Sequence, residues 1–132
     1  MKYICLGHLD AAWFSKLSPG EQHAAMDRCF DYDDELREHG HFAGGEALQA
    51  PENAVTLRYQ DGKVTVTDGP FIETKEYLGG ILVLEARDLN HAIQLISRHP
   101  GVRFGAWEIR PAADLGKMIE ESTARRRAVR RA

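Results

Sequence analysis

The sequence predicts an α+β fold of ferredoxin-like order, β-α-β-β-α-β, with an added edge hairpin strand and a C-terminal helix. Three observations predict it. Two alternating runs within 54–67 join through Asp61-Gly62, the preferred dipeptide for a two-residue hairpin turn. Ile81-Leu82-Val83-Leu84 is apolar on both faces, as a central strand covered on both sides must be. Two segments, one near 19–39 and one from Asp88 to His99, repeat apolar residues at helical spacing. At 132 residues the chain makes one domain.

Residues 3–8 are a short apolar strand closed by Gly7 and a polar His8-Leu9-Asp10. Ser18-Pro19-Gly20-Glu21 opens the first helix: Ser18 caps it, Pro19 suits the first helical position and Glu21 completes the capping box. Ala25, Cys29, Tyr32 and Leu36 form its buried stripe, and Asp27, Asp31, Asp34, Glu35 and Glu38 its acidic face. Gly40 stops it. In the hairpin, a two-residue turn pairs Gln60 with Lys63, Tyr59 with Val64 and Leu57 with Val66. Arg58 then meets Thr65 and Thr56 meets Thr67, so one face is apolar and buried and the other polar. Val55–Gln60 is taken as the added edge strand. A loop runs from Asp68 to Leu78 before the central strand. Asp88 caps the second helix, whose stripe is Leu89, Ala92, Ile93 and Ile96. The last strand lies near 102–110, and Asp114 caps a final helix. A central strand that is apolar on both faces needs a cover for the face the helices leave open. A second copy of the sheet is the simplest one, so a symmetric dimer is predicted.

The net charge of −3 hides a split. Residues 117–132 hold six basic and two acidic residues, a net of +4, and the preceding residues carry −7. Residues 1–114 therefore read as a domain and 115–132 as a basic helical tail, packed on the acidic surface of its own or the partner subunit. An acidic body makes nucleic acid the lesser partner for that tail. No run approaches a membrane span, and the N-terminal apolar run is too short for a signal peptide, so the expected location is cytoplasmic. Cys5 and Cys29 read as small buried apolar residues.

Asp68-Gly69-Pro70-Phe71, continuing as Ile72-Glu73-Thr74-Lys75-Glu76 and Leu78-Gly79-Gly80, resembles the YCII-related, or DGPF-domain, family of small bacterial proteins. Asp34-Glu35-Leu36-Arg37, Gly44-Gly45-Glu46-Ala47-Leu48, His99-Pro100-Gly101 and Glu108-Ile109-Arg110-Pro111 extend the resemblance to about residues 2–114. It implies a ferredoxin-like subunit that pairs into a dimeric α/β barrel. It also implies, for some members, association with extracytoplasmic-function sigma factors. Related dimeric barrels include small monooxygenases and isomerases, an analogy of fold that assigns no chemistry. The smaller YciI-like relatives are thought to use a histidine on the first helix and an aspartate before the proline after the second. Here the first position falls near Cys29 and the second holds His99, so neither is carried over by type.

Two readings of function follow. The first is a small-molecule-binding homodimer, with or without an enzymatic activity, whose cleft lies between the first helix, the sheet and the Asp68–Phe71 loop. Asp68 is then the acid or base, His99 its proton partner and Arg58 an anion anchor. Glu73, Lys75, Glu76 and Arg110 join as ligand-binding candidates. Each has a plainer role: Asp68 ties the turn with Phe71 as a core anchor, and the loop charges form a solvated cluster. Arg58 pairs with Glu73, Glu76 or Glu108, Glu108 and Arg110 close a network, and His99 is a satisfied half-buried histidine. The second reading is a non-catalytic regulatory module linked to transcription through a sigma factor. No cofactor is predicted. No metal site is predicted either, since His39-Gly40-His41 has no fixed partner near it.

Overall fold

Where the sequence carries its capping signals, helices begin. The structure, a computed structural model, describes residues 1–131. Strand β1 (Lys2–Asp10) leads into a short helix α1 (Ala11–Ser15), capped by the Asp10 carboxylate, which accepts the Trp13 N–H at 3.2 Å. Helix α2 (Pro19–Glu38) starts at the predicted capping box: Ser18 Oγ accepts the Glu21 N–H, and Glu21 Oε1 accepts the Ser18 N–H. Its buried residues are Ala25, Cys29, Tyr32 and Leu36, the expected stripe. Helix α3 (Leu89–Ser97) is capped by Asp88. Its stripe is rotated from the expected one: His91, Ala92, Leu95 and Ile96 are buried, while Leu89 and Ile93 are largely exposed. His91 enters the core because its Nδ1 accepts the Arg87 N–H, which removes the cost of burying that nitrogen.

Strand β2 (Phe42–Ala47) was hidden in the sequence, because Gly44 and Gly45 carry no side chains to show alternation. It pairs with β5 (Glu76–Glu85), which pairs with β1, which pairs with β6 (Trp107–Pro111). All three pairings are antiparallel, giving the order β2-β5-β1-β6. With β2 in place the ferredoxin-like pattern is complete.

The hairpin, β3 (Val55–Gln60) and β4 (Lys63–Asp68), has the predicted register at every pair from Thr56–Thr67 to Gln60–Lys63. Asp61 (φ 53°) and Gly62 (φ 80°) make its turn. Its place differs from the expectation. It is a separate two-stranded sheet, not an edge strand of the main one, and its apolar face is exposed. The edge position is taken by β2, so the hairpin stands as an insertion between β2 and β5.

Helices α2 and α3 cover one face of the sheet. Tyr3, Cys5, Leu82 and Leu84 point into that core, against Tyr32, Leu36 and Ile96. On the other face Ile4 pairs with Val83 and Leu6 with Ile81, an apolar stripe that is only half-buried. Helix α4 (Leu115–Arg131) follows β6, with the Asp114 carboxylate accepting the Lys117 N–H at 3.0 Å. No α4 residue is buried. Its basic residues form no ion pair with α2 among the described residues, so the expected packing on the acidic face of its own subunit is not made. The reason is topological: α4 leaves the sheet at the far edge from the site where α2 ends. Among the described residues no helix is long and apolar enough to cross a membrane.

Candidate functional site

Helical spacing puts Cys29, Asp33 and Arg37 on one face of α2, four residues apart. That face looks across a cavity of about 390 Å³ toward the open end of the sheet, at Gly7–Leu9, Gly45–Ala47 and Gly79–Leu82. His99 and Trp107 close its floor. The Nε2 of His99 lies 2.9 Å from Oδ1 of Asp33, although the two are 66 residues apart. His99 is 4% exposed and Asp33 21%.

The ring is held on every side. The Gly101 N–H donates to His99 Nδ1 at 3.0 Å, so Nδ1 is the accepting nitrogen. Nε2 therefore carries the proton and donates it to Asp33. The ring centroid lies 4.7 Å from that of Trp107 and 5.5 Å from that of Tyr32. Tyr32 is itself fixed by its hydroxyl, which donates to the Leu95 carbonyl. Trp107 reaches this place only because two neighbours lack a Cβ. A methyl group at Gly7 or at Gly101 would lie 2.8 Å from its ring. Both nitrogens of His99 are engaged, whereas the Asp33 carboxylate has no other hydrogen-bond partner among the described residues and keeps acceptor capacity toward the cavity, which His8 and Glu46 also line.

The other cavity groups are of a different kind. Burial, with a further rise from the charge of Asp33, pushes the Cys29 thiol up to about 11, so it is protonated and a poor nucleophile at neutral pH. Arg37 lies over the Phe42 ring, 4.2 Å from its centroid, and holds the exposed Asp34 at 2.7 Å. It is a fixed cation at the rim.

A second, larger cavity of about 880 Å³ lies beside the Asp68–Phe71 loop, walled by residues 48–54 and 69–74. His8 lines both cavities. The sequence-predicted residues divide between these places. His99 is in the first cavity. Glu73 and Glu76 line the second, where Glu76 Oε1 also accepts the Ala106 N–H at 2.9 Å. Asp68, Arg58, Lys75 and Arg110 line neither and are exposed. Arg110 pairs with Glu108, as the plainer reading expected, while Arg58 makes no ion pair among the described residues. The loop is tied by other groups: the Gly69 N–H donates to the Ala54 carbonyl, and the Thr56 hydroxyl to the Gly69 carbonyl. Phe71, expected as a core anchor, is 68% exposed.

Asp33 is the residue that sequence reasoning missed. Its signal was a carboxylate four residues after Cys29 and three before Leu36, within the apolar stripe and not on the acidic face. The resemblance implied a histidine on the first helix and an aspartate before the proline. Both types are present with their elements exchanged: the aspartate is on α2 and the histidine precedes Pro100.

The fold and the cleft together define a ferredoxin-like subunit with a carboxylate–histidine pair between its first long helix and its sheet. The chain belongs to the YCII-related domain family, whose model matches residues 1–115. A curated, uncharacterised protein of Rhizobium meliloti (strain 1021) is 39% identical over 64 residues, covering 46% of this chain and 50% of that protein. The match thus spans about half the length of that relative. Among solved structures, the chain is similar to 5-chloro-2-hydroxyhydroquinone dehydrochlorinase (TftG) from Burkholderia phenoliruptrix AC1100, in complex with 2,5-dihydroxybenzoquinone. The TM-score is 0.51 at 13% identity, over 86% of this chain and 94% of that one, a likeness of fold.

Proposed function

We propose that the protein is a homodimer that binds a small organic molecule in the α2–sheet cleft of each subunit, and that Asp33 moves a proton to or from that molecule. The observation that carries this is the Asp33–His99 pair. A buried imidazole with both nitrogens committed orients a carboxylate whose remaining acceptor capacity is free for a ligand. His99 is then a positioning residue and Asp33 the acid or base. The cavity has the size of small-molecule sites, and its walls include Phe30, Phe42 and Trp107, with few polar groups. A hydroxylated ring, the kind of molecule the dehydrochlorinase structure holds, is the first ligand class to try. The dimer is supported by the apolar stripe Ile4, Leu6, Ile81 and Val83, which a second sheet would cover.

For Asp68, Arg58, Lys75 and Arg110 no ligand contact is proposed, because they line neither cavity. Glu73 and Glu76 stand as candidates at the larger one. The rival reading is a non-catalytic regulatory module with a sigma-factor partner, and the bare basic helix α4 is what favours it.

The test starts from thermal-shift screening of small phenols, quinones and carboxylic acids, since a ligand of the native state raises the melting temperature. Hits are then incubated in D2O and followed by proton NMR. The expected result is enzyme-dependent exchange at a ligand carbon, reduced about 10²–10⁴-fold in Asp33→Asn while binding persists. Hits that bind both proteins without exchange would leave a binding module and remove the catalytic role.

A further inference from the structure

Two elements of this chain have amphipathic faces that nothing in the subunit covers. On the hairpin, Val55, Leu57, Tyr59, Val64 and Val66 lie on one face and are 58–75% exposed. On α4, Leu115, Met118, Ile119 and Val129 recur at helical spacing and are 52–76% exposed. A free two-stranded hairpin is marginal in water, and helices in proteins draw most of their stability from packing an amphipathic face. Each needs a cover.

The sheet register shows why they do not cover each other within one chain. The hairpin leaves the sheet where β2 ends beside Gly80 and β5 begins at Glu76. Helix α4 leaves where β6 ends beside Tyr3, at the end of β1 that pairs with Glu85. Strands β2 and β6 are opposite edges of the sheet. The two elements thus start from diagonally opposite corners.

We propose that the apolar face of the hairpin is the docking site for helix α4 of a second copy of this chain, exchanged reciprocally across a two-fold axis. The inference rests on the dimer proposed above and specifies its arms. Two sheets stacked on their open apolar faces can be related by a two-fold axis along the diagonal that runs between the two remaining corners. That operation crosses the strands nearly at right angles, a recognised packing of sheets. It also carries the α4 corner of each copy onto the hairpin corner of the other. Pairing hairpin with hairpin would leave α4 bare, and pairing α4 with α4 would leave the hairpin bare. The exchange covers both faces at once, twice per dimer. The +4 of the arm is opposite in sign to the −7 of the partner's residues 1–116, while the hairpin itself is neutral, Arg58 and Lys63 against Asp61 and Asp68, so the docking face is selected by its apolar side chains.

The experiment uses full-length chains with one added cysteine each, Val66→Cys on the hairpin and Ile119→Cys on the helix, one of them carrying a mass tag. The native Cys5 and Cys29 are buried. The two variants are co-expressed, treated with a short bis-maleimide and resolved on a denaturing gel, with sedimentation velocity of the untreated mixture alongside. The expected result is a covalent species containing one chain of each variant, more abundant than either homo-linked species. A dimer in sedimentation without that mixed species overturns the exchange and leaves the dimer. A monomer in sedimentation overturns both. Predominant Val66–Val66 or Ile119–Ile119 linkage assigns the face to its own symmetry mate. An internal link in the double variant assigns it to the same chain. Co-sedimentation with phosphatidylserine vesicles in place of the mixed link assigns α4 to a membrane surface. Each of these three outcomes overturns the proposal.

Discussion

Cys29 precedes Asp33 by one helical turn and reports on it. Burial comes first among the causes that lift its thiol to about 11, and the charge of Asp33 second. Cys5 is lifted to about 11 by burial. Both values are raised above the ordinary 9.0, so the unfolded chain releases these protons first as pH rises. Stability is full below about pH 9 and falls as pH climbs toward about 11. Urea midpoints across that window should decline, and the decline should weaken in Cys5→Ala and in Cys29→Ala. At the same site the pair Asp33–His99 could not be read from spacing. Asp33 broke an apolar stripe, which is a legible oddity, but its partner lies on a different element. His99 was legible as a satisfied histidine before a proline, but it is fully buried and not half-buried as expected. Its two hydrogen bonds, which make it a holder of Asp33, depend on where α2 passes.

At the scale of elements, caps carried most of the information. The Ser18–Glu21 box and Asp88 are local patterns, and both form the bonds their spacing implies. Asp88→Ala should therefore cost about 1 kcal/mol in chemical denaturation, the usual worth of an N-cap. The hairpin shows the complement. Its register followed from Asp61-Gly62 and cross-strand pairing alone, because turn length determines which residues face each other. Its neighbours did not follow, since alternation says that one face is apolar and not what that face meets. Strand β2 was missed for the opposite reason. Two glycines silence the alternation, and the strand exists because β5 offers it a free edge to pair with.

At the scale of the whole molecule, the half-buried stripe Ile4, Leu6, Ile81 and Val83 is the feature to test. Val83→Lys places a charge at its centre without touching the helix-packed core. The expected outcome is a shift from dimer to monomer in sedimentation equilibrium, with unchanged far-UV circular dichroism. An unchanged mass would remove the sheet face as the interface. The same scale explains the charge split. Helix α2 holds seven acidic residues against two basic ones and α4 six basic against two acidic, and no ion pair joins the two helices among the described residues.

By itself the sequence determined the three longer helices α2, α3 and α4, the hairpin register, the double-sided central strand and the family, because caps, turns and periodicity act over a few residues; the short α1 went unread. The tertiary structure alone decided that Asp33 meets His99, that β2 takes the sheet edge and the hairpin stands apart, and that the Asp68 carboxylate faces neither cavity. Those are contacts between segments tens of residues apart. Local patterns show which faces are apolar or charged, and only the packing of the chain decides which of those faces meet.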